Sequence, residues 1–233
     1  MTDKTLKKLI DGLNRGKHPE IVFLRPLTQT VDYAKVWLKK PSPKDNIVGY
    51  RNIPEPFQFY FIKNLEGHYR GIVFDMGHDL HCYVLPKYRG LGVMSSALQE
   101  VILPHIFQGK DEQRITIDKE QLGEKGFNAS AKVALRVGFT VDKVAESNTE
   151  YILSRDRYKE MVIIEGYNTQ IPEARVEELK KQVQFLSRSL LVLHTELEMN
   201  MGTTDYTDEL KTLVGETHEH IYRLEDDWWE HKN

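Results

Sequence analysis

Cysteine is nearly absent. Cys82 is the only one in 233 residues, which excludes an intrachain disulfide framework and fits a reducing compartment such as the cytoplasm. No uninterrupted apolar run exceeds four residues, far short of the roughly 20 that a membrane-spanning helix needs. The opening MTDKTLKKLIDGLNRGK has no apolar stretch ahead of a small-residue cleavage site, so it does not read as a secretory signal. An excess of one charge is missing too: 32 Lys and Arg face 35 Asp and Glu, a formal net charge of −3. That balance gives no support to a general nucleic-acid or anionic-membrane binder. Two phosphate-binding signatures also fail. No G-x-x-x-x-G-K-[ST] occurs, and the near match to G-x-G-x-x-G that begins at Gly90 has Ser95 in place of its last glycine.

What is present is an ordinary globular composition, 40% hydrophobic and 29% charged, in a length suited to one main domain with an appendage. The charge is unevenly shared. Residues 1–171 carry 25 Lys and Arg against 21 Asp and Glu, whereas 172–233 carry 7 against 14. That break sets off a helical segment over 172–233; ahead of it we expect an N-terminal helix within 1–19, a main domain over 20–156 and a linker or extra strand over 157–171. Leu6, Ile10 and Leu13 mark the amphipathic face of the first helix.

In the main domain, Ile21–Leu24 reads as a strand, followed by a helix from Thr30 to about Lys40 that Pro41 and Pro43 stop. The aromatic and β-branched runs 57–63 and 69–76 form a hairpin signal, and 80–85 a further strand ending at Pro86. Residues 92–107 read as a helix, 114–118 as a strand, 128–137 as a helix stopped by Gly138, and 139–144 and 151–153 as strands. The order describes an α/β fold with a mixed, mainly antiparallel sheet flanked by helices. Beyond Pro172, apolar residues at Val176, Leu179, Val183, Leu186, Leu190, Leu193 and Leu197 keep strict three-four spacing. A second, acidic helix follows the break at 202–205, so the tail reads as a helical hairpin or as strands of an oligomeric bundle.

The stretch Val84-Leu85-Pro86-Lys87-Tyr88-Arg89-Gly90-Leu91-Gly92-Val93-Met94-Ser95 carries the clearest chemistry. A strand ends, a turn with two glycines follows, and a helix begins. Glycines allow close approach of the backbone, and the first N–H groups of a helix, with its dipole, attract an anion. Arg89 adds a fork of donors suited to phosphate. A ligand-free strand-to-helix connection would share the same turn, so its glycines alone do not decide.

This stretch resembles motif A of the GNAT N-acetyltransferases, [QR]-x-x-G-x-[GA], with Arg89 and Gly92 at its first and fourth positions and Met94 departing at the sixth. Leu24-Arg25-Pro26-Leu27-Thr28, the run Asp79–Pro86, and Asn128-Ala129-Ser130 followed by Gly138-Phe139 are similar to companion motifs of the branch that acetylates ribosomal-protein N-termini. The resemblance covers about residues 20–156. It implies acetyl-CoA bound where the strand 80–85 splays from 114–118. Val84 and Leu85 would pair with pantetheine, the pyrophosphate would lie on Arg89, Gly90, Leu91, Gly92, Val93, Met94 and Ser95, and Asn128 and Ser130 would line the arm. Asn128 and Ser130 equally suit the N-terminus of a helix.

An acetyl transfer to an amine needs a proton acceptor. Asp79 matches the family's acidic position, and His81, two residues on, shares its strand face. The tyrosine that many members place four residues before the G-F glycine is Ala134 here, which leaves Tyr83, Tyr88, Ser95 or water as proton donors. Cys82 lacks a triad and does not read as a nucleophile, and no metal-ligand spacing is present. The resemblance thus implies an N-acetyltransferase for a protein N-terminus, a lysine or a small amine, without metal. The alternatives are an inactive acyl-CoA-binding module whose tail assembles or anchors it, and a host-modifying acetyltransferase whose tail engages a target. In each, residues 172–233 are expected to pack on their own main domain, on a second copy or on another protein.

Overall fold

A threonine hydroxyl decides the first turn of the sheet. Thr28 Oγ1 accepts from the backbone of Thr30 (3.2 Å) and Val31 (3.1 Å), and Leu27 N donates to Val31 O (2.9 Å), so the chain reverses at once. The segment expected as a helix from Thr30 to Lys40 is consequently strand β2 (Val31–Trp37), antiparallel to β1 (Ile21–Pro26). Its apolar residues obey a period of two. Val31 joins one core, while Ala34 and Val36 join the other. The Leu24–Thr28 segment therefore leads into a hairpin and not into the helix expected after it.

The computed structural model describes residues 1–46, 55–158 and 163–232. They divide into two compact units, Met1–Asn168 and Thr169–Asn233. In the first unit β3 (Phe57–Lys63), β4 (Tyr69–Asp75) and β5 (Leu80–Val84) extend the hairpin into a five-stranded antiparallel sheet in sequence order. Phe59–Ile62 is apolar without alternation because both faces of the sheet are covered. On one face lies α1 (Asp3–Asn14), whose Leu6, Leu9 and Ile10 pack on Phe59, Phe61 and Ile72. On the other lie α2 (Val93–Ala97), one π turn (Leu98–Ile102) and α3 (Leu103–Ile106), which run without a break. Pro104 has no N–H to return to the preceding turn, which accounts for the widened π turn.

A second, three-stranded antiparallel sheet follows, β6 (Glu112–Asp118), β7 (Thr140–Val144) and β8 (Asn148–Ser154), with β8 in the centre. Between β6 and β7 runs α4 (Lys119–Val137). Asp118 caps its first turn, accepting from Gln121 N at 3.0 Å, and Gly123, with φ of 64° and ψ of 168°, kinks the chain before the helix resumes and runs on through the expected 128–137. Asn128 and Ser130 are therefore interior helical residues, and their N-capping reading is overturned. Gly138 ends α4 in the left-handed conformation. Of the 157–171 segment, 159–162 lie outside the described residues, and 163–171 form neither helix nor strand.

His105 of α3 shares a 2.9 Å hydrogen bond with Tyr60, whose ring is buried. Burial, then the charge of Arg25, hold its pKa below the ordinary 6.5. The native imidazole thus resists a proton that the unfolded chain accepts. Its contribution to stability is present above pH 6.5 and is lost as pH falls from there toward the depressed native value. Urea midpoints measured between about pH 7.5 and 5 will fall for the wild type, and less steeply for His105→Gln.

The second unit is a helical hairpin, α5 (Glu173–Met201) and α6 (Asp205–Lys232). Ser187 Oγ donates to Val214 O (3.0 Å), and Lys180 Nζ meets Glu225 at 3.0 Å. The expected seam is only half inside. Val176 is buried, but Ser187 and His194 are buried as well, while Leu186 and Leu193 are exposed. At 3.6 residues per turn the three-four row drifts around the helix, and α6 covers the Val176 side of it.

Candidate active site

The two sheets of the first unit touch at one point. Asp79 and Arg114 form an isolated parallel bridge, with Arg114 N donating to His78 O at 3.2 Å, and beyond it β5 and β6 part. Asp79 sets this fork. Its Oδ1 accepts from Leu80 N (2.7 Å) and Thr116 N (2.9 Å), so a side chain occupies the place where the next ladder bond would form. Lys110 braces the turn behind it, with Nζ 2.6 Å from Gly77 O and 3.1 Å from Asp75 Oδ1.

This arrangement makes Asp79 a wedge before it is anything else. Asp79→Asn keeps the accepting oxygen and will melt close to the wild type. Asp79→Ala, which strands two amides at the fork, will lose about 1–2 kcal/mol in thermal unfolding. Equal losses for the two variants would show that the carboxylate's charge, not its position, holds the fork.

The edge of β5 that faces the fork is open. Met76 N donates to Asp79 O and Leu85 N to Arg70 O, both at 2.9 Å, so odd-numbered residues of β5 spend their backbone groups on β4. Even-numbered ones point to the free edge. Val84 thus presents its N–H there, and its carbonyl receives Arg89 Nε at 3.0 Å. Leu85, with its N–H committed to β4, is not equivalent to Val84. The side chains sort oppositely: Cys82 and Val84 face the α2 side, Tyr83 and Leu85 the α1 side.

Past Leu85 the chain makes one 3₁₀ turn, Pro86–Tyr88, and then Gly90 and Gly92 both adopt φ of 77°. Only glycine holds that conformation cheaply. Left-handed Gly92 followed by helical Val93 is the backbone pair from which a nest of N–H groups is built. Ser96 N to Gly92 O (3.0 Å) is the first helical bond, and Gly92 gives no side-chain cap. The N–H groups of Val93, Met94 and Ser95 therefore have no helical acceptor. Leu91 and Arg89 are exposed at the tip, while Met94 and Ser95 are buried.

Three cations gather at this turn: Arg89 over the Tyr83 ring at 5.5 Å, and Arg70 and Lys87 over the Tyr88 ring at 4.9 and 4.7 Å. Arg70 Nε is buried without a hydrogen-bond partner among the described residues. Sequence reading missed Arg70 as part of this cluster because its strand lies more than a dozen residues upstream.

His81 projects to the α1 side, where its Nε2 lies 2.8 Å from Asp3 Oδ1. Asp3 in the first turn of α1 was not foreseen either; only the register of α1 on β5 brings it there. Cys82 is a poor nucleophile: burial, then nearby Asp79, push its thiol up to about 12. Ser130 is half-buried and Asn128 exposed on α4, and Ala134 is fully buried in the core beneath. Tyr83 is buried against α1 and Tyr88 is half-buried. No group of metal-binding side chains occurs among the described residues.

No family model and no curated protein matches this chain. Two solved structures are similar to part of it, both of the N-acetyltransferase PseH of Campylobacter jejuni. The complex with acetyl coenzyme A is 12% identical with a TM-score of 0.34, and the structure without it 11% identical with a TM-score of 0.30. Each likeness covers 42% of this chain and 68% of the other. The fold, a mixed α/β arrangement of antiparallel sheets flanked by helices and joined at a single fork, stands on the chain's own geometry.

Proposed function

We propose that this chain is an acetyl-CoA-dependent N-acetyltransferase acting on a primary amine. The observation that carries the reading is the conjunction at β5: a strand edge opened by Asp79 leads directly into a two-glycine turn rich in unspent N–H groups and flanked by Arg89. An extended arm ending in a pyrophosphate has the shape and charge that such an edge and turn take up. The pyrophosphate would lie on Gly90–Ser95 with Arg89, and the pantetheine amides would meet Val84 N–H on the free edge. Asn128 and Ser130 stay in the proposal as residues of α4 on the same side. The motif A resemblance, which places its conserved positions on the same Arg89 and Gly92, adds to this reading.

When bound, acetyl-CoA supplies the thioester carbonyl on which an amine acts. The turn and α2 lie on one side of the sheet and His81 on the other, so the fork is the passage between them. Among the two candidate bases, the geometry supports His81: Asp3 holds its Nε2 side and leaves Nδ1 to take the amine proton. Asp79 would act by keeping the passage open, with its second oxygen the alternative acceptor. The binding-module reading is favoured by one observation, the buried methyl of Ala134 where the family's tyrosine would offer a hydroxyl.

Release of free thiol from acetyl-CoA in the presence of a panel of amines and N-terminal peptides tests the reading, together with the mass of the acetylated product. Thiol release that depends on one amine class supports it. Acetyl-CoA binding without turnover on any amine leaves the binding module, and absence of binding overturns both.

A further inference from the structure

Helix α5 is apolar on two sides, and α6 covers one. Val176, Ser187 and His194 are buried toward α6. On the opposite side Phe185, Val192 and Met199 recur every seventh residue and are 69%, 67% and 78% exposed. They form a ridge about 21 Å long at 1.5 Å per residue. Large apolar side chains in heptad register on the back of a helix that is already packed mark a helix–helix interface.

The charges beside the ridge identify its occupant. Arg188 and Glu196 stand four residues before and after Val192, are exposed, and have no ion-pair partner among the described residues. If a second α5 lies antiparallel with the two-fold axis at Val192, each residue meets the one equally far beyond Val192 on the other helix. Phe185 then meets Met199, Val192 meets itself, and Arg188 meets Glu196, each contact made twice. Overall charge points the same way. Helix α5 carries five acidic and four basic residues, whereas α6 carries nine and three, so like α5 helices associate with little repulsion and like α6 helices do not.

We propose that this ridge is a self-complementary homodimer interface, α5 against α5 of a second copy in antiparallel register about Val192. Such a pairing is closed and isologous, as two-fold dimers require. It does not depend on the acetyltransferase reading.

Sedimentation equilibrium of the full chain tests it. The wild type is expected at twice its 27.2 kDa. Val192→Glu places two carboxylates on the axis and will give monomer. R188E and E196R will each raise the dimer dissociation constant by roughly tenfold or more through two like-charge contacts, and the R188E/E196R double variant, which restores opposite charges, will return it toward the wild-type value. The helicity of all four variants can be checked by circular dichroism, since none of the three positions is buried. A wild-type monomer, including one whose ridge is covered by its own chain, overturns the proposal. So does a dimer indifferent to Val192→Glu, or a double variant no tighter than the single ones.

Discussion

Arg89→Ala is expected to raise the dissociation constant for acetyl-CoA by roughly ten- to a hundredfold, the effect of losing charge-assisted hydrogen bonds worth about 1.5–3 kcal/mol. Its Nε is spent on Val84 O and its guanidinium lies over the Tyr83 ring, which leaves the two terminal nitrogens as its uncommitted donors. The loss should shrink as salt is added, because the side chain is exposed. Acetyl-pantetheine, which has no pyrophosphate, should bind wild type and variant alike. Isothermal titration with both ligands checks the pair of outcomes. An unchanged constant for acetyl-CoA would remove the turn as the phosphate site, and an equal loss for both ligands would assign Arg89 to the strand edge instead.

The largest loss of stability is expected at Lys63. Asp32 of β2 is buried, with Lys63 Nζ at 2.6 and 2.7 Å and Tyr69 Oη donating at 2.7 Å. Burial, and then the bond to Asp32, push the Tyr69 pKa well above its ordinary value, so it remains a donor. Lys63→Ala strips the carboxylate of its cation and will cost about 3 kcal/mol in denaturant unfolding, below the top of the usual range because Lys63 retains some solvent contact. The double variant Lys63→Met with Asp32→Leu will recover most of that loss, since no charge is then stranded. A single variant as stable as the wild type would mean that water takes the place of Lys63.

Much of the fold was legible because local rules and tertiary demands agree. Strands β3 to β6 and the α2–α3 helix stand where aromatic runs, turns and apolar periods put them. The Thr30–Lys40 segment went the other way. Its apolar residues fit a helix by spacing and a strand by alternation, and the Thr28 turn with sheet partners on both sides decided for the strand. For α4 the start was hidden because Asp118 ends a strand and caps a first turn, and the helix proper resumes only past the kink at Gly123. In the candidate site, the contiguous part from Val84 to Ser95 was readable from its glycines and arginine. What pairs across the fold was not: Asp3 with His81, Arg70 beside Tyr88, and Asp79 on the amide of Thr116 each depend on how separate elements dock. In the tail, strict spacing located the helices but not which side α6 would cover.

The single fork between the sheets also bears on how the chain assembles. Every ladder in β1–β5 is made within residues 21–84, and every ladder in β6–β8 within 112–154. Neither sheet waits for a strand from the other, so loop closure is short on both sides and contact order stays low for a protein so rich in strands. What binds the halves is side-chain packing: Val31, Tyr60 and Val73 of the first sheet share one apolar core with Ile117, Tyr151 and Leu153 of the second, and the Asp79–Arg114 bridge pins the backbones beside it.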